Sequence, residues 1–123
     1  MIQQEGPGWR LARDASKGLY SVLIGGQGWA LELTEDEWRE LVVLVKTIED
    51  QHSALRPQLM EEECIELELD QGMWWGCLEG NRQGWSLALV LSSVQGRGAE
   101  IFWPNPVATV VVAAMRTLWD SQH

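Results

Sequence analysis

The sequence predicts an α+β fold of about seven antiparallel strands and two helices, in the order βββ-α-ββββ-α. Three observations carry that expectation. Most short segments alternate apolar and polar residues with period two, as half-buried strands do, and Gly-, Asn- and Gln-rich turns separate them. Two segments shift instead to a helical period, each behind a helix-start signal. Finally, QGWALEL (27–33) and QGWSLAL (83–89) agree at five of seven positions, which raises the prospect of one strand–helix unit used twice.

The first strand is expected in GWRLARD (8–14), where Trp9, Leu11 and Arg13 alternate and the turn composition DASKG follows. LYSVLIGG (19–26) is an apolar run rich in strand formers, closed by two glycines. GWALELT (28–34) places Trp29, Leu31 and Leu33 on one face and Ala30 and Glu32 on the other. Together they read as a three-stranded meander. The period then changes. Thr34 and Glu37 make a capping box, and Glu35, Asp36 and Glu37 occupy a first turn where the helix dipole favours negative charge. Trp38, Leu41, Val42, Val45, Ile48 and His52 recur at helical spacing until Pro57, so a helix is predicted over about 34–54.

MEEECIELELDQG (60–72) returns to period two, with Ile65, Leu67 and Leu69 facing one way and Cys64, Glu66, Glu68 and Asp70 the other. It reads as a strand with one buried and one acidic face. MWWGCLEGN (73–81), GWSLALVLSS (84–93) and AEIFWP (99–104) complete a run of four strands. Asn105 as N-cap and Pro106 at the first helical position open a second helix over 105–120, with Val107, Val110, Val111, Ala114 and Leu118 on one face; the valine run would also suit a strand. No linker or low-complexity segment divides the chain, so one domain, 1–123, is expected, with pseudo-repeat halves at about 8–55 and 61–120.

Two registers compete for that repeat. Aligning the two QGW heptapeptides fails at Thr34, which opens a helix but falls on an apolar strand of the second half. Aligning Trp9 with Trp75, Gly18 with Gly84 and Leu23 with Leu89 preserves element order, and is preferred because a fold must keep its packed elements in sequence.

The chain has 123 residues, 46% of them hydrophobic, and a net charge of −9. No apolar run reaches the ~18 residues of a membrane helix, and MIQQEGPGWR lacks the basic and apolar regions of a secretory signal. Cys64 and Cys77 make neither a metal spacing nor a disulfide framework and read as buried thiols of a cytoplasmic protein. The acidic balance repels phosphate backbones, so nucleic-acid binding would need a local basic patch.

GWRLARD (8–14), LIGGQGWALELTEDEW (23–38) and LMEEECIELELD (59–70) resemble hallmark segments of a small cyanobacterial family of unknown function, and the resemblance covers nearly the whole chain. It implies a fold related to the Whirly and transcription-coactivator class of single-stranded-DNA-binding regulators. In that class a four-strand-plus-helix unit is doubled, usually by dimerisation; here one chain would supply both units. The resemblance implies no activity and no catalytic residues, and fold similarity does not transfer function.

Eight tryptophans stand out. Trp9, Trp29, Trp38, Trp85 and Trp119 fall on apolar faces and read as core. Trp74 and Trp75 are adjacent on a strand, so one points inward and the other is more exposed. An exposed Trp can stack a base or anchor a partner protein, and Trp103 before Pro104 can do the same at a sheet edge. Arg10, Arg13 and Lys17 supply three of the nine Lys and Arg residues, and Arg82 and Arg97 lie in turns of the second half. These cations form either a phosphate-contacting strip or an ordinary strand face in which Arg10 or Arg13 pairs with Glu66 or Glu68. Glu61, Glu62, Glu63, Glu66, Glu68 and Asp70 read as a solvated face rather than a cation site, since no calcium loop is present and His52 and His123 are distant in sequence. LIGGQG is followed by a strand and lacks Lys-Ser/Thr, so it is a hairpin turn and not a phosphate loop.

No catalytic, metal or cofactor residues emerge, and no enzyme is expected. The first functional reading is a binding module whose partner is a protein. The alternative is a single-stranded nucleic-acid-binding regulator, with a small-ligand carrier or enzyme as the remainder.

Overall fold

A computed structural model describes residues 1–121, with side chains described through 118; Trp119 and His123 lie outside that description. Hairpin grammar builds the first half. β1 (Ile2–Gly6), β2 (Trp9–Arg13), β3 (Val22–Gly26) and β4 (Trp29–Leu33) pair antiparallel in sequence order. Gly6 pairs with Trp9 across the turn Pro7-Gly8, and Gly26 with Trp29 across Gln27-Gly28. Gly8 and Gly28 take φ of 81° and 79°, a left-handed conformation that glycine adopts without strain. In both hairpins the indole lies over the opposite glycine, where a Cβ would collide with Nε1.

β1 raises the strand count to eight, and the order becomes ββββ-α-ββββ-α. Its inward positions are Ile2, Gln4 and Gly6, with one sizeable apolar side chain among them. Alternation is therefore too weak to mark the strand. Its signal is Gly6-Pro7-Gly8-Trp9, which repeats the G-x-G-W pattern of residues 26–29.

α1 (Glu35–Leu55) starts as expected, with Thr34 Oγ1 accepting from Glu37 N at 3.1 Å and Glu37 Oε1 from Thr34 N at 2.9 Å. β5 (Ile65–Gln71), β6 (Trp74–Gly80), β7 (Trp85–Ser92) and β8 (Gly98–Trp103) form the second antiparallel meander. α2 (Val107–Ser121) begins two residues later than predicted. The Asn105–Pro106 peptide is cis, Ala108 N donates to the Pro104 carbonyl at 2.9 Å, and the Asn105 amide packs against Gly84.

Each half is thus four strands and a helix, and the halves interlock. α1, which follows the first sheet, packs mainly on β5 and β6, while α2 contacts β7, β2 and α1. Leu11 and Ile24 of the first sheet, Trp38 and Leu44 of α1, Leu78 and Leu87 of the second sheet and Met115 of α2 join one buried cluster. Each such side chain contributes roughly 1.5–3 kcal/mol of burial. Among the described residues, no helix is long and apolar enough to cross a membrane.

Element order follows the preferred alignment, since β4 and β8 hold the same place in their sheets, but its residue register is off by one. Trp9 and Trp74, not Trp75, each open the second strand of a hairpin, opposite Gly6 and Gln71. The shift matters because a one-residue slip in a strand exchanges its faces. Inward Leu89 corresponds to inward Ile24, not to outward Leu23.

Candidate functional site

The second sheet buries one face against the helices and turns the other outward. Strand register aligns the outward residues in rows. One row is Asp70, Trp75, Val90 and Glu100; the next is Glu68, Cys77, Ala88 and Phe102; the third begins Glu66, Glu79 and Ser86. Trp75, Ala88, Val90 and Phe102 make an apolar strip over β6–β8, and Phe102 is 51% exposed. Glu66, Glu68, Asp70 and Glu79 flank it on the β5 side and Glu100 on β8. No outward position of this sheet holds a cation. A groove of about 480 Å³ includes Trp75, Val90, Glu100 and Phe102 in its lining.

Cys77 sits within this acidic field. Burial, then the charges of Glu66, Glu68 and Glu79, push its thiol up to about 11. It is therefore a neutral S–H near neutral pH and not a ready nucleophile. Ligand atoms of Glu66, Glu68 and Cys77 lie within 4.8 Å of one another. These are two carboxylates and a thiol, three donors of mixed hardness on the outward face of a sheet.

The basic residues do not form one strip. Arg10 and Arg13 are three apart on β2, so they face opposite ways. Arg13 points inward, pairing through Nη2 with Glu35 Oε1 and donating from Nε to Oε2 at 3.3 Å. Ser21 Oγ donates to the same carboxylate at 2.8 Å. These contacts, Arg13 foremost, hold Glu35 below the usual carboxylate range despite its partial burial. Arg97, in the β7–β8 turn, reaches the first half. It donates to Glu37 Oε1 and to the Glu32 carbonyl, each at 2.5 Å, and stacks 4.6 Å from the centroid of the Tyr20 ring. Arg10 and Lys17 do share a cleft of about 220 Å³, but Asp14 and Glu32 line it too and Lys17 lies 3.6 Å from Glu32. Arg82 is exposed in the β6–β7 turn.

Cys64, expected as a buried thiol, is exposed and Cys77 is half-buried, and Val110, expected on the apolar face of the second helix, is exposed. Three further sequence expectations are corrected. Trp74 is buried and its Nε1 donates to the Glu37 carbonyl at 2.9 Å, so it belongs to the core and not to a partner surface. Trp103 is buried too, donating to the Gly25 carbonyl at 3.0 Å with its ring 5.4 Å from that of Trp29. Glu66 and Glu68 pair with neither Arg10 nor Arg13, because β2 and β5 belong to different sheets. Trp75 is the half-buried member of the Trp74–Trp75 pair, as strand parity requires. Val90, Glu79, Glu100 and Phe102 escaped notice. Their signal is the outward half of the three segments 73–81, 84–93 and 99–104, whose faces the sequence reading left unassigned apart from the Trp74–Trp75 pair.

Residues 4–118 match the model of a family described as a domain of unknown function, DUF1818. No curated protein matches the chain. Among solved structures, the chain is similar to the crystal structure of a protein with unknown function from the DUF155 family of Prochlorococcus sp. NATL2A. The two are 46% identical over 97% of this chain and 99% of that one, with a TM-score of 0.91.

Proposed function

This chain belongs to the DUF1818 family, a domain of unknown function, and on that premise we propose that it is a non-enzymatic binding module whose partner is a protein. The observation that carries this reading is the outward face of the second sheet. An apolar strip with a half-buried Trp75 and an exposed Phe102, rimmed by charge, has the anatomy of a protein interface. Phe102 contributes little to the core from this position, so its apolar surface is best explained by something that covers it. The carboxylates around it repel a phosphate backbone.

Affinity capture from native lysate tests the proposal. The unaltered chain should retain a protein at near-stoichiometric yield, and Phe102→Ser should lose it while remaining folded. Absence of any such partner, or capture indifferent to Phe102→Ser, would overturn the reading.

The single-stranded nucleic-acid reading draws on the shared cleft of Arg10 and Lys17, with Tyr20 beside them, and on the Whirly-like resemblance. Asp14 and Glu32 in the same cleft, and the diversion of Arg13 and Arg97 into structural pairs, weigh against it. A low-salt mobility shift abolished by Arg10→Glu with Lys17→Glu would establish it; no shift at micromolar protein would dismiss it.

A further inference from the structure

We infer that the occupant of the outward face of the second sheet is a basic amphipathic helix of the partner protein. The inference rests on the protein-binding reading and adds the chemistry of the partner.

Charge complementarity is the first argument. Six carboxylates elsewhere have cations beside them: Glu32 has Lys17, Glu35 has Arg13, Asp36 has Arg39, Glu37 has Arg97, and Glu49 and Asp50 have Arg116, while Glu61, Glu62 and Glu63 in the loop before β5 have none among the described residues. Glu66, Glu68, Asp70, Glu79 and Glu100 have none among the described residues, and what sets them apart is that they surround an apolar strip holding Trp75 and Phe102. Exposed carboxylates need no partner for solubility. Carboxylates crowded round an apolar strip raise the selectivity of that strip for cations and repel anions. Trp75 and Phe102 add ring faces on which an Arg or Lys can stack.

Geometry supplies the second argument. The strip spans β6 to β8, two strand spacings of ~4.8 Å with side chains beyond them. That width matches an α-helix, about 10–12 Å across with its side chains. A helix lying along β7 would seat apolar residues on Trp75, Val90 and Phe102. Cations on its flanks would then reach the β5 carboxylates on one side and Glu100 on the other. The inner face of the same sheet is already packed by α1 and α2, so an outer helix would complete a three-layer sandwich. A second copy of this chain does not fit, because a two-fold contact through this face would set its carboxylates against themselves.

The probe is a labelled 18-residue Leu/Lys peptide with helical periodicity. Controls are a Leu/Glu peptide of the same pattern and a Lys peptide without apolar residues. Fluorescence anisotropy should show saturable binding of the Leu/Lys peptide alone, weakened by salt. Glu66→Gln with Glu68→Gln and Asp70→Asn should weaken it about tenfold, and Phe102→Ser should weaken it comparably. Replacing Glu61, Glu62 and Glu63 by Gln removes the same charge from outside the sheet and should leave affinity within about twofold. Failure of the Leu/Lys peptide to bind, equal losses for the two charge-matched triples, or equal binding of the Leu/Glu peptide would overturn the inference. If lysate capture still depends on Phe102 while the peptide fails, the protein-binding reading survives and only the basic helix is excluded.

Discussion

Arg97, in the turn between β7 and β8, donates from Nη1 to Oε1 of Glu37 in the first turn of α1, at 2.5 Å. Glu37 is 1% exposed, and the same oxygen accepts the Thr34 N–H of the capping box. The Glu37 carbonyl also takes the Trp74 indole proton. A single residue thus joins the end of β4, the start of α1 and two elements of the second sheet.

Truncating that cation strands a buried carboxylate. Arg97→Ala should cost about 3 kcal/mol, the lower edge for breaking a buried pair, since the Arg97 side chain keeps 24% of its surface in water. Adding Glu37→Gln should recover part of the loss, because glutamine preserves the capping box and removes the unpaired charge. Urea unfolding of the single and double variants checks both. A loss below about 1 kcal/mol, or no recovery in the double variant, contradicts the role assigned to the pair.

Trp103 ties the sheets together from the other side. Its indole donates to the Gly25 carbonyl of the first sheet, and its ring meets that of Trp29. Trp103→Phe keeps most of the apolar volume but leaves that buried carbonyl without its indole donor, at a cost of about 1–3 kcal/mol. Trp75→Phe, on the outward face, should cost less. Thermal unfolding of the two variants side by side tests the contrast; equal shifts would mean that the inter-sheet bond contributes nothing measurable.

How far the chain could be read depended on which physical signal each residue carries. α1 was legible because its capping box, acidic first turn and apolar stripe are all local. β1 was not, since pairing with β2 holds it in place while its own side chains alternate weakly. The opposite facings of Arg10 and Arg13 were present in strand parity, and counting them as one strip ignored it. The burial of Trp74 and Trp103 was less accessible: their indoles are satisfied by carbonyls far away in sequence, Glu37 and Gly25. The acidic, aromatic face was half legible. Alternation places Glu66, Glu68 and Asp70 together, but only the strand order sets Trp75 and Phe102 beside them.

The Glu35 carboxylate should shape the acid limb of stability. Arg13, and then Ser21, hold it below its ordinary 4.5 in the folded chain. A depressed folded value stabilises above the unfolded value, and that stabilisation is lost as pH falls through the folded one. Arg13→Gln should therefore flatten the stability–pH curve below about pH 4.5 while changing it little near the thiol range. The effect should stay below about 1 kcal/mol, because the Glu35 side chain is 42% exposed and Arg13 Nη1 is buried without a partner. A curve unchanged by Arg13→Gln would show that the ion pair is thermodynamically silent.

Cys77 reports on the acidic face from within. Its thiol is raised from 9.0 to about 11, first by burial and then by Glu66, Glu68 and Glu79. At pH 8 that leaves about one part in a thousand as thiolate, so iodoacetamide should modify exposed Cys64 far sooner. A raised folded value also stabilises below the unfolded one, so stability should decline between pH 9.0 and about 11 as an unfolded thiol ionises more readily. Cys77→Ala should remove that decline. Glu66→Gln with Glu68→Gln should speed alkylation of Cys77 without affecting Cys64, but only in part, because burial is the larger cause. A bound basic helix would act in the same direction electrostatically while covering the thiol sterically. Mass-spectrometric alkylation rates of the free chain therefore isolate the carboxylate field: equal rates for the two cysteines, or a Cys77 rate indifferent to both glutamine substitutions, would mean that this face lacks the local negative potential on which selectivity for a cationic partner depends.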